Sequence, residues 1–417
     1  MRMTVGRGRL GKATSMIVPA SRNVVSSANP KVLERSRVED SIAKLEAWVE
    51  ARHYKGYDPS DGLNSFLRPL TFGNQLADRA LMQLIWKSPI NLRPLVGIKP
   101  EESTKARGYM AWGYWLRYKD TGNASFKTKA TANLDWLVAN KAPGQVGYSW
   151  GNHFDFVTRA GIKPAGSPII VWTGLIGQAF LEGYEQTQDD RFLEVARGIC
   201  TWILNVPRER TPTGTCLSYV PSSQISSHNS NLHGAAMLAR MWKHTREPEL
   251  LEVARCAMDY TCNRQRDDGS WWYGEEAKYH WIDNFHTGYN LDSIKRYIDV
   301  TGEEAYRPHF RAGLRYFKET FFTPEGAPRY YHDSTFPIDI QCAAQAIETL
   351  AFCSEDDPTC LELAMKVARW TIDNMQDRDG HFYYRHYPFI KAKTPYIHWG
   401  QATTYKALAT LLSQMRA

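Results

Sequence analysis

The stretch that decides the fold is Arg264–Trp271, which reads RQRDDGSW and returns as MQDRDGHF at Met375–Phe382. Both copies contain a Gln, an Asp-Gly turn and an aromatic residue in the same order. The first copy follows a segment in which apolar residues recur every three to four positions, as at Leu251, Ala254 and Met258, which is the period of an amphipathic helix. Self-similarity of this kind is the sequence signature of a repeat architecture.

An aromatic residue marks the same helical position in five repeats. Successive copies lie 54 to 66 residues apart, at Trp136, Trp202, Tyr260, Tyr316 and Trp370. Each repeat contains two helical patterns with a short polar link between them. The first helices are predicted to start near Thr104, Pro168, Asn229, Asp283, Asp339 and Trp399, and the second helices near Ser125, Arg191, Glu249, Glu304 and Thr359, with a sixth candidate at Val38–Ala51.

The two ends of this series predict a closed ring. The last first-type helix, Gln401–Gln414, has no partner downstream, and the helix at Val38–Ala51 has none upstream. Pairing them gives six helical hairpins, so we predict an all-α fold, an (α/α)6 toroid with the apolar first helices inside. A helix around Asn74–Trp86 is extra to this count. The toroid is predicted as one domain over residues 34–417, preceded by a disordered basic leader over residues 1–33.

Charge and composition exclude several classes of protein. The 417 residues carry 51 Lys and Arg against 44 Asp and Glu, but six of the bases precede Glu34, the first acid, so the body has a formal charge of only +1. This argues against a nucleic-acid-binding body. No run of about 18 apolar residues occurs, which excludes a membrane span.

Cysteine usage and the leader bear on the compartment. The seven cysteines are odd in number and form no Cys-x-x-Cys pair, so buried reduced thiols are predicted rather than disulfides or a zinc site. The leader has too short an apolar run for a secretory signal, and an organellar address remains its alternative. We therefore predict a cytoplasmic protein with no cofactor and no metal. Asp58, Asp61 and Asn64 are predicted to form a turn network rather than a cation site.

Polar and aromatic residues cluster in the loops that lead to the first helices, which should meet at one mouth of the ring. Helix capping explains single residues such as Asn229, but it does not explain why His, Asp and aromatics recur at one phase of successive repeats. Flat rings beside hydrogen-bonding groups suit a sugar, so we predict a glycan site. The predicted substrate-binding residues are Trp150, Asn152, Asp155, His228, Asn229, His233, Trp271, Tyr273, Tyr331, Gln341, Arg385, His398, Trp399 and Gln401.

Two kinds of catalysis and one non-catalytic role fit this pattern. Asp283 and Asp339 start neighbouring first helices and are predicted as the carboxyl pair of a glycoside hydrolase acting on an acidic oligosaccharide or polysaccharide. Elimination or epimerisation at a uronate would instead use a histidine or a tyrosine as the base, with His228, His286, His332 and Tyr331 as candidates, and Asn229 or Arg385 would steady the carboxylate. The third alternative is a catalytically silent glycan-binding or scaffold protein.

Short motifs also resemble known families. The Gln-x-x-x-Gly-x-aromatic copies resemble the repeat of terpenoid-cyclase and prenyltransferase toroids, although their acidic and zinc motifs are missing, so only the architecture is implied. His280–Asn284, reading HWIDN, is similar to unsaturated glucuronyl hydrolases among the six-hairpin glycosidases, which implies that Asp283 is catalytic. The segments YKGYDP at Tyr54–Pro59 and WIDNFHTGY at Trp281–Tyr289 look like a bacterial family encoded among polysaccharide and lipopolysaccharide biosynthesis functions, which implies a role in surface-glycan metabolism.

Overall fold

Thirteen α-helices make up most of the computed structural model, which describes residues 30–158 and 161–415. Six helices line the centre: α3 (Thr104–Thr121), α5 (Ile170–Thr187), α7 (His228–Thr245), α9 (Asn284–Thr301), α11 (Ile340–Phe352) and α13 (Thr403–Gln414). Six lie outside: α1 (Pro30–Ala51), α4 (Ala124–Ala139), α6 (Asp190–Leu204), α8 (Pro248–Cys262), α10 (Arg307–Thr320) and α12 (Thr359–Met375). Helix α2 (Gln75–Lys87) is extra to both sets.

The central helices pack in a closed cycle. Each contacts two neighbours in the order α3, α5, α7, α9, α11, α13 and back to α3, and α1 packs on α13. The inner helices are almost wholly buried because they are covered by neighbours on both sides and by an outer helix. Glycine permits the closest approaches, since a Cβ at Gly108 of α3 would lie 2.6 Å from the Ile176 side chain of α5. The predicted (α/α)6 toroid is confirmed.

The glutamines of the repeated motif fix the turns between repeats. Gln265 Nε2 donates to the carbonyl oxygens of Gly269 and of His309 in α10, both at 2.9 Å. Gln376 does the same with Gly380 and with Ser41 in α1. Each glutamine therefore ties its own Asp-Gly turn to the next outer helix. This structural contact accounts for the recurrence of the motif.

Two helix starts differ from their predicted positions. Helix α1 begins at Pro30 instead of Val38, so it starts inside the segment predicted as leader. The rest of that leader, residues 1–29, lies outside the described residues. The last inner helix is preceded by a π-helical turn, Ile397–Ala402, which places His398 and Trp399 at the mouth. Single π turns of this kind are frequent at functional sites.

Short antiparallel strands lie around the mouth of the ring. They form three two-stranded pairs and one three-stranded sheet in the order β7, β8, β9. Their bounds are β1 (Lys55–Gly56), β2 (Glu101–Glu102), β3 (Phe156–Thr158), β4 (Gly161–Lys163), β5 (Arg208–Thr211), β6 (Gly214–Leu217), β7 (Ile338–Asp339), β8 (Arg385–His386) and β9 (Lys391–Ala392). The register of the three-stranded sheet pairs Asp339 with Arg385, which brings a charged residue from the last repeat to the start of α11.

Over the described ranges, no helix has the length and apolarity needed to cross a membrane. The same residues contain no group of three or more His, Cys, Asp or Glu placed to hold a metal ion. All seven cysteines are free and six of them are buried, as predicted. Asp58 and Asp61 form the predicted turn network, since Asp61 Oδ2 accepts from the Asp58 backbone N–H at 2.9 Å.

Candidate functional site

Two adjoining cavities occupy the mouth at which the inner helices begin. The outer cleft has a volume of about 540 Å³ and the inner pocket one of about 270 Å³. Both are lined by Trp86, Tyr219, Tyr273, His286 and Tyr330. The two cavities therefore form one continuous site with four aromatic side chains and a histidine at the junction.

The outer cleft is strongly basic. Arg79 and Lys87 of α2, Lys163 of β4 and Arg385 of β8 line it, whereas Asp283 is its one acidic lining residue. The extra helix α2 forms part of the wall, so the element outside the hairpin count contributes to the site. A cleft in which positive charges outnumber negative ones concentrates anions, so this one favours an anionic ligand.

Asp283 and His286 form a hydrogen-bonded dyad at the start of α9. Asp283 caps the helix, because its Oδ1 accepts from the His286 backbone N–H at 2.9 Å. Its Oδ2 lies 2.6 Å from His286 Nδ1 and accepts from Trp281 Nε1 at 3.0 Å. His286 Nε2 makes no hydrogen bond with any described residue, and the ring lines both cavities. A carboxylate that holds Nδ1 orients the imidazole so that Nε2 can act as a base.

Asp339 caps α11 in the same way but is fully buried. Its Oδ1 accepts from the Gln341 backbone N–H and from Trp399 Nε1, both at 2.9 Å. Its Oδ2 accepts from Arg385 Nε at 2.6 Å, and the two side chains form an ion pair. Burial by itself would lower the pKa of Arg385, but Asp339 raises it overall. Asp339 therefore holds Arg385 in position, and Arg385 rather than Asp339 lines the outer cleft.

The inner pocket contains a buried lysine. Lys105, in the first turn of α3, is 6% exposed, and its Nζ makes no hydrogen bond or ion pair with the described residues. Its Nζ lies 5.7 and 5.8 Å from the ring centroids of Tyr109 and Trp172, and the charge of Asp58 acts on it from within the same pocket lining. Burial lowers the pKa of Lys105 to about 8. This lysine can pair with an anionic group of a ligand.

Asp58 and His398 form a close ion pair in the lining of the inner pocket, between Asp58 Oδ2 and His398 Nδ1. Burial would raise the pKa of Asp58, but the charge of His398 and its hydrogen bond hold this pKa below its ordinary value. Asp58 is therefore ionised. The pair joins the loop after α1 to the start of the last inner helix.

Tyrosines at the junction of the cavities are held in their protonated form. Burial raises the pKa of Tyr330 well above its ordinary value, and the charges of Asp283 and Asp339 raise it further. The hydroxyl of Tyr289, which lines the inner pocket, accepts from Gln341 Nε2 at 2.9 Å and lies 3.0 Å from the Tyr109 hydroxyl. Phenols of this kind can donate protons or hydrogen bonds but do not ionise near neutral pH.

Nine of the eighteen residues predicted for the site line one of the two cavities. They are Asn152, Asn229, Tyr273, Asp283, His286, Tyr331, Arg385, His398 and Trp399. Asp339 lies directly behind them, bonded to two of their number. The remaining eight predicted residues have side chains engaged elsewhere in the protein.

The tryptophans predicted as sugar platforms are packed inside the fold. Trp150 is fully buried and its Nε1 donates to Leu137 O of α4 at 2.9 Å. Trp271, 2% exposed, repeats this contact with Thr261 O of α8 at 3.0 Å. Each indole therefore closes the C-terminal end of an outer helix. Gln401 is also internal, since its Nε2 donates to Phe382 O at 2.9 Å.

Five further predicted residues have structural contacts. Asp155 accepts from the Ala165 backbone N–H and pairs with Arg68, both at 2.8 Å, and Gln341 bonds Tyr289. These five, Asp155, His228, His233, His332 and Gln341, do not line the cavities. His228 is buried with Nε2 2.8 Å from Glu275, His233 packs edge-on to Tyr289, and His332 has its Nδ1 3.4 Å from Ile282 O. Burial lowers the pKa of His233 well below its ordinary value, so its ring is neutral.

Sequence reasoning missed several lining residues. Lys105, Arg79, Trp86, Lys163 and Tyr330 were not assigned to the site. Lys105 gave no signal, since Arg107 shares the first turn of α3 and Arg117, Lys119 and Asp120 follow on the same helix. Arg79 and Trp86 gave none either, because α2 is not part of the repeat.

Several solved structures of carbohydrate-active proteins have this architecture. No protein-family model and no curated protein matches the chain. Among solved structures, a polysaccharide lyase superposes with a TM-score of 0.59 at 11% identity over 91% of this chain and 97% of that one. The cellobiose 2-epimerase of Bacillus thermoamylovorans gives 0.58 at 14% identity, covering 76% of this chain and 88% of its own.

A third similar structure is the family 76 α-mannanase of Bacteroides thetaiotaomicron, with a TM-score of 0.57 at 14% identity over 74% of this chain and 86% of that chain. A lyase, an epimerase and a hydrolase thus share one fold with this protein. All of these structures are (α/α)6 toroids, so the likeness establishes the fold class and leaves the reaction to the site.

Proposed function

We propose that the protein is a carbohydrate-active enzyme that removes a proton beside the carboxylate of a uronate-containing glycan, with elimination as its reaction. The observation that carries this proposal is the Asp283–His286 dyad, with Nδ1 held at 2.6 Å and Nε2 unbonded at the junction of two cavities. The polysaccharide lyase and the cellobiose epimerase among the similar structures act on carbohydrates, which supports the class of substrate.

Each step can be assigned to a residue of the site. His286 Nε2 takes the proton from the carbon that bears the carboxylate, and the charge that develops on that carboxylate is stabilised by Arg385 and Lys105. The electron pair forms a carbon–carbon double bond as the glycosidic C–O bond at the next carbon breaks. In this proposal Tyr330, which is protonated before that step, gives its proton to the departing oxygen. The products are an unsaturated uronate and a free hydroxyl end.

Hydrolysis by a carboxyl pair has less support from the geometry. That mechanism needs one carboxyl group kept protonated beside the scissile bond. Asp339 is instead fully buried and ion-paired with Arg385, and both oxygens of Asp283 are occupied by Trp281 and His286. Epimerisation uses the same first proton transfer, and it differs in that the proton returns to the other face of the carbon.

The test is a comparison of two variants with a matched control. We expect the wild type to release a conjugated uronate, which absorbs in the ultraviolet, from uronate oligosaccharides. His286→Ala and Asp283→Asn should release this product at least about 100-fold more slowly. His332→Ala alters a histidine that does not line the cavities and should keep full activity. Full activity in His286→Ala, or new reducing ends without the conjugated product, would refute elimination. Exchange of the same proton with solvent deuterium, without cleavage, would indicate the epimerase reaction.

A further inference from the structure

Residues 66–99, here called the docking segment, expose an unusual number of large apolar side chains. The segment follows the turn network and includes α2, and it folds back on itself because the Phe66 backbone N–H donates to Val96 O at 3.2 Å. Phe72 is 92% exposed and Leu76 77% exposed. Seven such side chains lie within this stretch: Phe66, Leu70, Phe72, Leu76, Leu84, Ile90 and Leu95. Single exposed apolar residues are ordinary, but a concentration of them indicates an interaction surface.

Helix α2 is apolar on two faces. Met82 and Ile85 are buried against the protein. Leu76, Ala80 and Leu84, spaced four residues apart, form a stripe on an exposed face. Folding of the toroid uses only the buried face, because α2 lies outside the ring of hairpins. The exposed stripe therefore has no role in the fold.

The charges of the docking segment are also one-sided. Arg79, Lys87 and Lys99 are exposed, whereas Asp78, the one acidic residue between positions 66 and 99, is buried and accepts from Thr71 Oγ1 at 2.6 Å. The exposed surface of the segment is therefore apolar and cationic together. This combination is characteristic of helices that lie in the interface of an anionic membrane.

We propose that the docking segment binds the surface of an anionic lipid membrane. The apolar stripe of α2 and the neighbouring Phe72 would enter the interface, and the exposed bases would pair with lipid phosphates. Arg79, Trp86 and Lys87 of the same helix also line the outer cleft. Docking would consequently hold the mouth of the site beside the headgroups, within reach of a glycan carried on a lipid. This surface is independent of which reaction the site performs.

The experiment is cosedimentation of the full-length protein with vesicles. One set contains phosphatidylcholine alone and the other adds a quarter phosphatidylglycerol. We expect binding to the anionic set, a weaker interaction at high salt, and a loss of about tenfold in Leu76→Ser and more in Leu76→Ser combined with Phe72→Ser. These side chains are exposed, so the variants should keep the wild-type melting temperature. The matched control is Leu33→Ser, because Leu33 is 59% exposed in the first turns of α1, at the opposite end of the toroid.

Three results would overturn the proposal. The first is an absence of binding to anionic vesicles by the wild type. The second is that Leu76→Ser and Phe72→Ser bind anionic vesicles as strongly as the wild type does. This result would assign the binding to the basic residues before Glu34 instead. The third is a wild-type dimer that these two substitutions dissociate while vesicle binding is absent, which would make the docking segment a contact between two copies of the chain.

Discussion

Replacing Lys105 with methionine removes one positive charge from the inner pocket and keeps an unbranched side chain of similar length. Lys105 is 6% exposed and has no anionic partner within hydrogen-bonding distance among the described residues. A charged group in this position is disfavoured by burial in the folded protein. The substitution should therefore stabilise the fold and weaken the binding of an acidic ligand.

The gain in stability follows from the pKa of Lys105. Burial lowers it from 10.5 to about 8, and each unit corresponds to about 1.4 kcal/mol, so the folded state at pH 7 is disfavoured by about 3 kcal/mol. Unfolding of a 417-residue chain at ~2.1 cal/mol/K per residue has an entropy of about 0.9 kcal/mol/K. The melting temperature of Lys105→Met should then rise by about 3 °C. The lost contacts with Tyr109 and Trp172 are near the distance limit for cation–π attraction and offset little of this gain.

The pH dependence has a definite sign. The folded pKa of about 8 lies below the unfolded value, so between these two pH values the unfolded chain binds more protons than the folded one. Stability of the wild type therefore rises with pH across this window, relative to the variant, which has no such group. The stability difference between Lys105→Met and the wild type should be largest near pH 7 and decline toward zero near pH 10.5.

Calorimetry of both proteins at several pH values, with and without a uronate oligosaccharide, checks the prediction. The ligand should raise the melting temperature of the wild type and have little effect on Lys105→Met, because an anion neutralises the buried lysine. A variant less stable than the wild type at pH 7, or a stability difference that does not change with pH, would refute the reasoning. A Lys105→Arg protein, which keeps the charge, should retain ligand stabilisation and serves as the control.

Three substitutions probe the contacts around the site. Trp150→Phe should lower the free energy of unfolding by at least about 1–3 kcal/mol and leave turnover intact, since it removes the hydrogen bond to Leu137 O and part of the packing of a fully buried indole; a loss of turnover at unchanged stability would return Trp150 to the sugar site. Arg93→Met should cost about 3–5 kcal/mol in urea unfolding, because Asp61 would stay buried without its partner at 2.7 Å; no change would contradict the ion pair. Arg385→Gln should destabilise the fold by a similar amount and also weaken binding of acidic but not neutral oligosaccharides, which isothermal titration can separate.

The ring could be predicted from the sequence because its signals are local. An amphipathic period, a polar link and an Asp-Gly turn can each be read within a few residues, and their recurrence supplies the count of hairpins. The start of α1 could not be predicted, because its first turns have no apolar face of their own. These turns are held by residues that are distant in the sequence, because Arg35 donates to Leu412 O and to Asp120, both at 2.7 Å.

The site was only partly predictable for the same reason. Asp283 and His286 are three residues apart at the start of one helix, so their contact can be predicted from the local sequence. The ion pair of Asp58 and His398 joins positions that meet only when the ring closes. Lys105 belongs to no pattern at all. Trp150 was predicted to bind a sugar because aromatic residues recur at one phase of the repeat. A side chain that closes the end of an outer helix recurs as regularly as one that binds a ligand.

The two capping aspartates hold different partners in neighbouring repeats, a histidine in one and an arginine in the next. Asp283 and Asp339 each begin an inner helix and each accept an indole N–H, from Trp281 and Trp399 respectively. Three residues after Asp283 stands His286, whereas the corresponding residue after Asp339 is Cys342. Burial, followed by the charges of the two aspartates, raises the pKa of that thiol well above its ordinary value, so it stays neutral and supplies no base.

With no basic side chain on its own helix, the carboxylate of Asp339 takes its cation from the facing strand β8, where Arg385 is the register partner. The same cap therefore orients an imidazole in one repeat and anchors a guanidinium in the next. Because the caps sit on adjacent inner helices, the proposed base and the proposed carboxylate-binding group lie side by side. To exchange the partners of the two aspartates, both the residue three positions after the cap and the partner on the facing strand would have to change. Cys342→His alone should add no second base, since Asp339 is already ion-paired with Arg385.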